Sequence, residues 1–107
     1  MIIDVNDSEF EEKVINQSKT IPVLVDFWAS WCGPCMMLKP VLERIAQDLG
    51  ESIILAKVNV EKNQENAMKY SVMSIPAVKL FKNGQIIDEF NGAQPEEMIR
   101  EWLKQKL

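Results

Sequence analysis

The sequence contains no histidine among its 107 residues. Without imidazole, a Ser/His/Asp triad, a Cys/His nucleophile pair and every zinc site built on histidine are excluded. The two cysteines are too few for a structural zinc site of four thiolates unless two chains share the ion. Several common enzyme classes are therefore excluded, and the two cysteines have to be explained mainly by sulfur chemistry.

The sequence also lacks clustered positive charge, long apolar runs and a recognisable leader. Its formal charge is −4 at pH 7, and no stretch of Lys and Arg is dense enough to follow a phosphate backbone. The apolar runs are too short to span a bilayer. The first residues, 1–7, resemble neither a signal peptide nor a transit peptide. We therefore expect a soluble cytoplasmic protein that binds no nucleic acid and no membrane.

Glycine and proline are scarce, with four and five residues, and the composition is 47% hydrophobic and 26% charged. These proportions are typical of globular proteins. A chain of this length fits the commonest size of a domain with one core. Because the sequence shows no repeat, linker or low-complexity segment, we predict a single domain over residues 1–107.

The first two thirds of the chain alternate between strand and helix patterns, which predicts an α/β fold. Residues 23–28 predict a strand buried on both faces, and the apolar stripe that follows predicts a helix ended by Gly50. Pro40 lies inside that helix and is expected to kink it. Residues 53–60 predict a second central strand, and residues 61–70 a weaker helix.

The remaining third predicts two antiparallel strands and a helix. Residues 77–81 and 85–90 flank Asn83-Gly84, a strong signal for a hairpin turn. Pro95 opens the last helix. Its apolar positions, expected to share one buried face, are Met98, Ile99, Trp102 and Leu103.

The N-terminal residues predict a strand followed by a helix. The strand covers residues 2–5. Residues 8–11 resemble a capping box, which predicts a helix that continues through Ile15.

The two cysteines stand between a predicted strand and a predicted helix, in the segment Trp31-Cys32-Gly33-Pro34-Cys35. Cys32 is expected at the helix N-terminus, where unpaired N–H donors and the helix dipole favour a thiolate. Cys35 follows one helical turn later, which brings the sulfurs within bonding reach. The spacing predicts that Cys32 attacks a target disulfide and that Cys35 resolves the mixed disulfide.

Three other roles for the pair stay open. A disulfide closing a ring of four residues stabilises a fold by only about 2 kcal/mol, so a structural staple explains little. Buried inert thiols fit poorly with Gly33 and Pro34, which favour a turn at a helix start. A metal clip is the third alternative.

Asp26 is the candidate acceptor for the proton of Cys35. Alternation along the strand places it beside Leu24 and Trp28 on a covered face. Burial should raise the pKa of its carboxyl toward the range useful for proton transfer. The alternative is a salt-bridged carboxylate at a strand edge, paired with Lys57 of the neighbouring strand. Both can hold, because a nearby lysine would oppose the rise in pKa without abolishing proton transfer.

Six segments distributed along the whole chain resemble the thioredoxin family. They are Val25-Asp26-Phe27-Trp28-Ala29, Trp31-Cys32-Gly33-Pro34-Cys35, Lys57-Val58-Asn59, Ile75-Pro76, Phe81-Lys82-Asn83-Gly84 and Gly92-Ala93. The resemblance implies the thioredoxin fold, a central five-stranded mixed sheet flanked by four helices. It also implies a cis Ile75-Pro76 peptide bond facing the cysteines. The residues alone favour a simpler interpretation, in which Pro76 is a strand-start proline whose missing N–H is harmless.

The same resemblance implies the remaining site residues and the partners. Cys32, Cys35, Asp26 and Lys57 form the catalytic set. Trp28 lies under the cysteine loop, and Pro40 supports the helix behind it. The apolar rim that accepts protein disulfides comprises Trp31, Gly33, Pro34, Ile75, Pro76 and Gly92. Reducing equivalents come from thioredoxin reductase, an NADPH-dependent flavoprotein, since the chain has no glycine-rich nucleotide loop.

These observations predict a monomeric protein-disulfide reductase that acts as an electron carrier without a cofactor or a metal. One alternative is an oxidase or isomerase on the same fold, although Gly-Pro between the cysteines resembles the reducing members. Another is a redox-independent binding module or accessory subunit.

Several positions depart from the commonest pattern of the family. They are Glu61, Met73, Ser74, Ala77 and Lys79. Met73 and Ser74 border the predicted rim and bear on target preference. A lysine at position 79, inside a buried strand, needs a partner or a path by which its ammonium group reaches water.

Overall fold

A mixed sheet of five strands forms the centre of the molecule. The computed structural model describes residues 1–107 in full. The strands are β1 (Ile2–Asp4), β2 (Val23–Trp28), β3 (Ile54–Asn59), β4 (Ala77–Lys82) and β5 (Gln85–Asn91). Their order is β1-β3-β2-β4-β5, with β1, β3 and β2 parallel and with β4 and β5 antiparallel to their neighbours. The predicted mixed sheet is confirmed.

Helical elements cover both faces of this sheet. The α-helices are α1 (Gly33–Leu49), α2 (Glu65–Lys69) and α3 (Glu96–Lys106). A fourth element, the N-terminal helical segment of residues 7–19, consists of 3₁₀ and π turns. None of the helices combines the length and the apolar character that a membrane-spanning helix requires.

The two faces of the sheet are packed with different side chains. The face under the N-terminal helical segment and α2, called here the aromatic face, buries Phe10, Phe27 and Phe81. Phe10 contacts both of the others at ring-centroid distances of 6.4 and 5.8 Å, and Tyr70 completes the group. The face under α1 and α3, called the aliphatic face, buries mainly leucine and isoleucine. Its members include Leu24, Leu38, Leu42, Leu80, Ile99 and Leu103.

Strand β2 lies between β3 and β4 at the middle of the sheet, and its first five residues are buried. Because β2 and β3 are parallel, their carboxyl ends lie at one edge of the sheet. Strand β4 runs the other way, so its first residue, Ala77, pairs with Phe27 at that same edge. The segments after β2 and β3 and before β4 therefore converge at one place.

The turn between β4 and β5 is the predicted Asn-Gly hairpin. Asn83 and Gly84 have φ of 56° and 83°, the positive values that a tight hairpin turn needs. Ser18 of the N-terminal helical segment binds this turn. Its carbonyl accepts the N–H of Asn83 at 2.8 Å, and its hydroxyl accepts the N–H of Gly84 at 2.9 Å.

The predicted N-terminal cap was wrong by two residues. Asn6, not Ser8, caps the helical segment: its side chain accepts the N–H of Glu9, and the Glu9 carboxylate accepts the N–H of Asn6. The segment also continues past Ile15 to Lys19. The capping-box pattern fits Ser8 as well as Asn6, because asparagine and serine are both good caps.

Two further predictions were corrected in extent. Helix α2 begins at Glu65 because residues 61–64 turn about Asn59, whose carbonyl accepts the N–H groups of Lys62 and Asn63. In α3, Met98 is 59% exposed, whereas Ile99 and Leu103 are buried. The buried stripe of α3 is thus narrower than predicted.

Candidate active site

Cys32 is the N-cap residue of α1, directly after the central strand. Its backbone is extended, with φ of −88° and ψ of 108°, and its sulfur accepts the N–H of Cys35 at 3.2 Å. Pro34 occupies the first turn of the helix, where a missing N–H leaves no bond unmade. The helix start thus directs unpaired N–H groups and the positive end of the dipole toward the Cys32 sulfur.

The two cysteine sulfurs are joined in a disulfide, with Cα atoms 5.2 Å apart. Cys32 is 5% exposed and Cys35 is 1% exposed. Ala29, Trp28, Val60 and Ile75 pack around the pair. Cys32 is the slightly more exposed residue of the two and stands at the beginning of the helix.

The segment before β4 faces this pair. The Ile75-Pro76 peptide bond is cis, as the resemblance implied. The carbonyl oxygen of Ile75 lies 3.8 Å from the Cys32 sulfur. Pro76 is buried, and its carbonyl accepts the N–H of Gly92 at 2.9 Å, which ties residue 92 to the same edge.

The other residues of the predicted rim surround the cysteines at the surface. Trp31 is 72% exposed, and Gly33 and Pro34 are exposed beside it. Ile75 and Gly92 are half-buried. Trp31 and Ile75 also line a shallow apolar groove with Met73, which is 93% exposed. The structure thus brings the six rim residues to one edge, with Pro76 as the buried member.

Trp28 and Pro40, the predicted supporting residues, lie at different depths. Trp28 ends β2, packs against the cysteine pair, and has a buried indole Nε1 without a hydrogen-bond partner. Pro40 is an exposed residue in the middle of α1.

Asp26 is a buried carboxyl on the aliphatic face. It is 3% exposed, and its Oδ1 has no hydrogen-bond partner in the protein. Burial raises the pKa of this carboxyl to about 7; the Lys57 ammonium opposes the rise, and the Glu43 carboxylate adds to it. A carboxyl with such a pKa can exchange a proton near neutral pH.

Lys57 forms its ion pair with Glu43 and not with Asp26. Asp26 and Lys57 are register partners on β2 and β3, yet the Lys57 Nζ lies 3.0 Å from Glu43 Oε2 on α1. It also lies 5.8 Å from the centre of the Trp28 ring. The alternative of a salt-bridged Asp26 at a strand edge is therefore wrong, because β2 is central and the lysine is bound elsewhere.

Glu43 is a residue that sequence reasoning missed. It stands beside the buried stripe of α1, where an acidic residue is usually a solvated one. The available signal was Lys57 itself, since a lysine in a covered strand requires an acidic partner. The pattern along the strands indicates the neighbour Asp26 as that partner, because it contains no information about the helix packed above them.

Glu61, one of the departures from the family pattern, binds the loop that leads to Cys32. Its Oε1 accepts the N–H of Ser30 at 2.6 Å, and this bond holds the pKa of the Glu61 carboxyl below its usual value. The residue after β3 is thus connected to the segment after β2.

A polar groove opens beside these residues, at the carboxyl ends of β1 and β3. It is lined by Trp28 and Lys57 on the inside and by Asp4, Glu9 and Lys62 toward the surface. No group of three or more His, Cys, Asp or Glu side chains is arranged to hold a metal ion.

Lys79, the other unexplained residue, lies on the opposite face. Its side chain is 6% exposed, and its Nζ binds Glu89 Oε1 at 3.0 Å across β4 and β5. This pairing supplies the partner that a lysine in a buried strand requires.

A disulfide between two cysteines one helical turn apart, at a helix N-terminus, is a redox-active pair. Its chemistry is the exchange of one disulfide for another. The sheet and this pair together define a thiol–disulfide oxidoreductase of the protein-disulfide class.

Comparison with known proteins agrees with this class. The family model described as Thioredoxin matches residues 1–105. The chain is 42% identical to a thioredoxin of Rickettsia bellii over 107 residues, which cover all of both chains. It is 44% identical to a thioredoxin of Staphylococcus epidermidis over 106 residues, 99% of this chain and 98% of the relative. A thioredoxin of Chlorobaculum thiosulfatiphilum is 45% identical over 96 residues, 90% of this chain and 87% of the relative.

The chain belongs to the thioredoxin family. Its thiol–disulfide oxidoreductase activity is carried by Cys32 and Cys35, and a redox-independent binding role is not favoured.

Proposed function

We propose that this protein works as a reductase: Cys32 attacks disulfides of other proteins, and Cys35 completes the reaction. The observation that carries this assignment is the position of Cys32 at the N-cap of α1, where its sulfur accepts the N–H of Cys35. That bond and the helix dipole stabilise a thiolate, which is the nucleophilic form of cysteine. Cys35, inside the first turn and almost completely buried, has no comparable access to a substrate.

The reaction transfers two electrons to the substrate in two exchanges. The Cys32 thiolate bonds to one substrate sulfur, the substrate S–S bond breaks, and the other substrate sulfur leaves as a thiolate that takes up a proton. Cys35 then loses its proton and attacks the Cys32 sulfur. The Cys32–Cys35 disulfide forms, and the second substrate sulfur leaves. The substrate ends as a dithiol and this chain as the disulfide seen in the structure.

Asp26 accepts the proton of Cys35 in the second exchange. Its carboxyl is buried on the face that α1 covers, and Cys35 lies in the first turn of that helix. With a pKa of about 7, the carboxyl is partly ionised at neutral pH and can take the proton. Lys57 moderates this affinity, because its ammonium group favours the charged carboxylate.

Substrates bind on the apolar rim around Cys32. Exposed Trp31, Gly33 and Pro34 lie on one side, and Ile75, Pro76 and Gly92 lie on the other. Aromatic and apolar surface without fixed charge accepts many unrelated partners. Trp28 supports the loop from below, and Pro40 belongs to the helix that carries the pair.

The resting disulfide is reduced again by thioredoxin reductase, which supplies electrons from NADPH. A carrier of this kind functions in a compartment that keeps thiols reduced, and we assign the protein to the cytoplasm as a monomer of one domain.

The test is to trap the intermediate. The Cys35→Ser variant, reduced and mixed with a disulfide-containing protein such as insulin, should accumulate a covalent adduct through Cys32. Cys32→Ser is the matched control and should form none. The wild type with thioredoxin reductase and NADPH should turn over continuously. An adduct formed equally by Cys32→Ser, or no turnover by the wild type, contradicts the assignment.

A second experiment isolates the proton acceptor. Asp26→Asn should slow the decay of the mixed disulfide at pH 7 by about 10²-fold, the usual size of a general-base contribution. Formation of the mixed disulfide should change little, because Cys32 reacts as a thiolate already. Equal slowing of both steps in single-turnover measurements contradicts a role in the second exchange.

A further inference from the structure

Three ionisable side chains lie together on the aliphatic face, between the sheet and α1. Each comes from a different element. Asp26 comes from β2, Lys57 from β3 and Glu43 from α1. Together they carry two acidic groups and one basic group. The single lysine therefore cannot neutralise both carboxylates.

The geometry shows which carboxylate the lysine serves. Lys57 Nζ binds Glu43 Oε2 at 3.0 Å and forms no ion pair with Asp26, its register partner on the adjacent strand. Asp26 keeps Oδ1 unpartnered and almost completely buried. Glu43, whose side chain is 30% exposed, retains contact with water.

We propose that Glu43 is a positioning residue of the reaction: by holding the Lys57 ammonium on the α1 side, it leaves Asp26 unpaired and able to take the proton of Cys35. Glu43 does not touch the reacting sulfurs. It acts through Lys57 and through its own negative charge. The proposal rests on the assignment of Asp26 as proton acceptor.

The other groups around this cluster do not replace Glu43. Asp4 on β1 is the register partner of Lys57 on its other side, but it is exposed. Glu9 and Lys62 stand farther out, along the polar groove. On β4 the register partner of Asp26 is Val78, which has no charge.

Removing the charge of Glu43 has two effects of the same sign. The Lys57 ammonium is released and can approach Asp26, and a nearby negative charge disappears. Both changes favour the ionised form of Asp26, so its pKa should fall. The pH at which Cys35 resolves the mixed disulfide at half its maximal rate should fall with it.

The primary experiment titrates the Asp26 carboxyl directly by ¹³C NMR in the oxidised wild type and in Glu43→Gln. The midpoint should fall by about half a pH unit, a shift typical of a partly exposed charge nearby. Glu101→Gln is the matched control, because Glu101 is an exposed carboxylate of α3 without an ion pair. In this variant the midpoint of Asp26 should stay at the wild-type value. An unchanged midpoint in Glu43→Gln, or an equal shift in Glu101→Gln, overturns the proposal.

A second comparison tests whether Glu43 acts through Lys57. In the Lys57→Met background only the direct charge effect of Glu43 remains, so adding Glu43→Gln should lower the midpoint by less than half as much. A full-sized shift there overturns the positioning role. Glu43→Asp, which keeps the charge on a shorter side chain, should give a midpoint between those of the wild type and Glu43→Gln. If Glu43→Gln folds poorly, Glu43→Asp still tests the proposal.

Failure of this proposal is distinct from failure of the function assigned to Asp26. The carboxyl titration reports the electrostatic coupling even if Asp26 accepts no proton in the reaction. Conversely, if Asp26→Asn resolves the mixed disulfide at the normal rate, Asp26 is not the proton acceptor. The result of the carboxyl titration still stands in that case.

Discussion

Each face of the sheet holds one lysine whose side chain is largely covered, and the two lysines have different surroundings. On the aromatic face, Lys79 binds Glu89, and no further acidic group is buried beside them. On the aliphatic face, Lys57 binds Glu43, and Asp26 remains as an additional buried carboxyl. The first arrangement is a neutral pair, whereas the second has an excess of one carboxyl.

This difference separates a structural ion pair from a site that can exchange protons. In a closed ion pair each charge stabilises the other, and both groups are engaged with each other. An unpaired buried carboxyl takes up a proton at neutral pH and is poised to release it. We therefore expect the aromatic face to contribute stability alone, and the aliphatic face to contribute stability together with the proposed proton transfer.

The largest expected effect comes from breaking the aromatic face. Phe10 is 2% exposed and contacts Phe27, Tyr70 and Phe81. Phe10→Ala should lower the free energy of unfolding by about 3–5 kcal/mol through lost burial and the cavity that remains. Denaturant unfolding measures this loss, and Phe10→Leu should recover part of it. The pH dependence of resolution should be unchanged, and a shifted pH profile would mean that the two faces are coupled.

The next effect is a gain in the free energy of unfolding, of similar size, on replacing Asp26. The pKa of Asp26 is about 7 in the folded protein against 3.8 for an unperturbed carboxyl, so folding takes up a proton between these values. Stability should fall as the pH rises from about 4 to 7 and then stay level, a total of up to about 4 kcal/mol. Asp26→Asn removes this penalty and should be more stable than the wild type at pH 8. Unfolding curves at pH 4 and pH 8 measure the difference, which should be much smaller at pH 4.

The smallest effects are expected when each of the two lysines is replaced in turn. Lys57→Met should raise the pKa of Asp26, because its ammonium favours the carboxylate, and the pH profile of resolution should move upward. Lys79→Met should leave that profile unchanged and cost only about 1 kcal/mol, because Glu89 is half exposed and regains water. Stopped-flow kinetics over pH 5–9 compare them. Equal shifts of the profile would mean that the two lysines do not differ in their effect on Asp26.

The sequence was sufficient for the features that local rules determine. The buried run of β2, the Asn83-Gly84 turn and the placement of Cys32 at a helix start each follow from neighbouring residues. The burial of Asp26 followed from alternation along the strand. These predictions hold because the responsible contacts lie within a few residues of one another.

The predictions that were wrong concern features that depend on contacts between distant segments. Lys57 pairs with Glu43 because α1 packs over β3, and alternation within a strand contains no information about that helix. Besides the turn about Asn59, a distant residue defines the start of α2 at Glu65: the Asp7 carboxylate accepts the N–H groups of Glu65 and Asn66, 58 and 59 residues away. The cis Ile75-Pro76 bond is a different case. The family resemblance implies it correctly, but the residues alone do not, since either isomer satisfies the local rules.

The binding of the hairpin turn by Ser18 has a consequence for engineering the protein. An exposed two-residue turn is ordinarily a good place to insert an epitope or a fluorophore tag, because loop tips tolerate extra residues. Here the N–H groups of Asn83 and Gly84 are both used by Ser18, which is 1% exposed. A tag placed in this turn would detach the hairpin from the first helical segment.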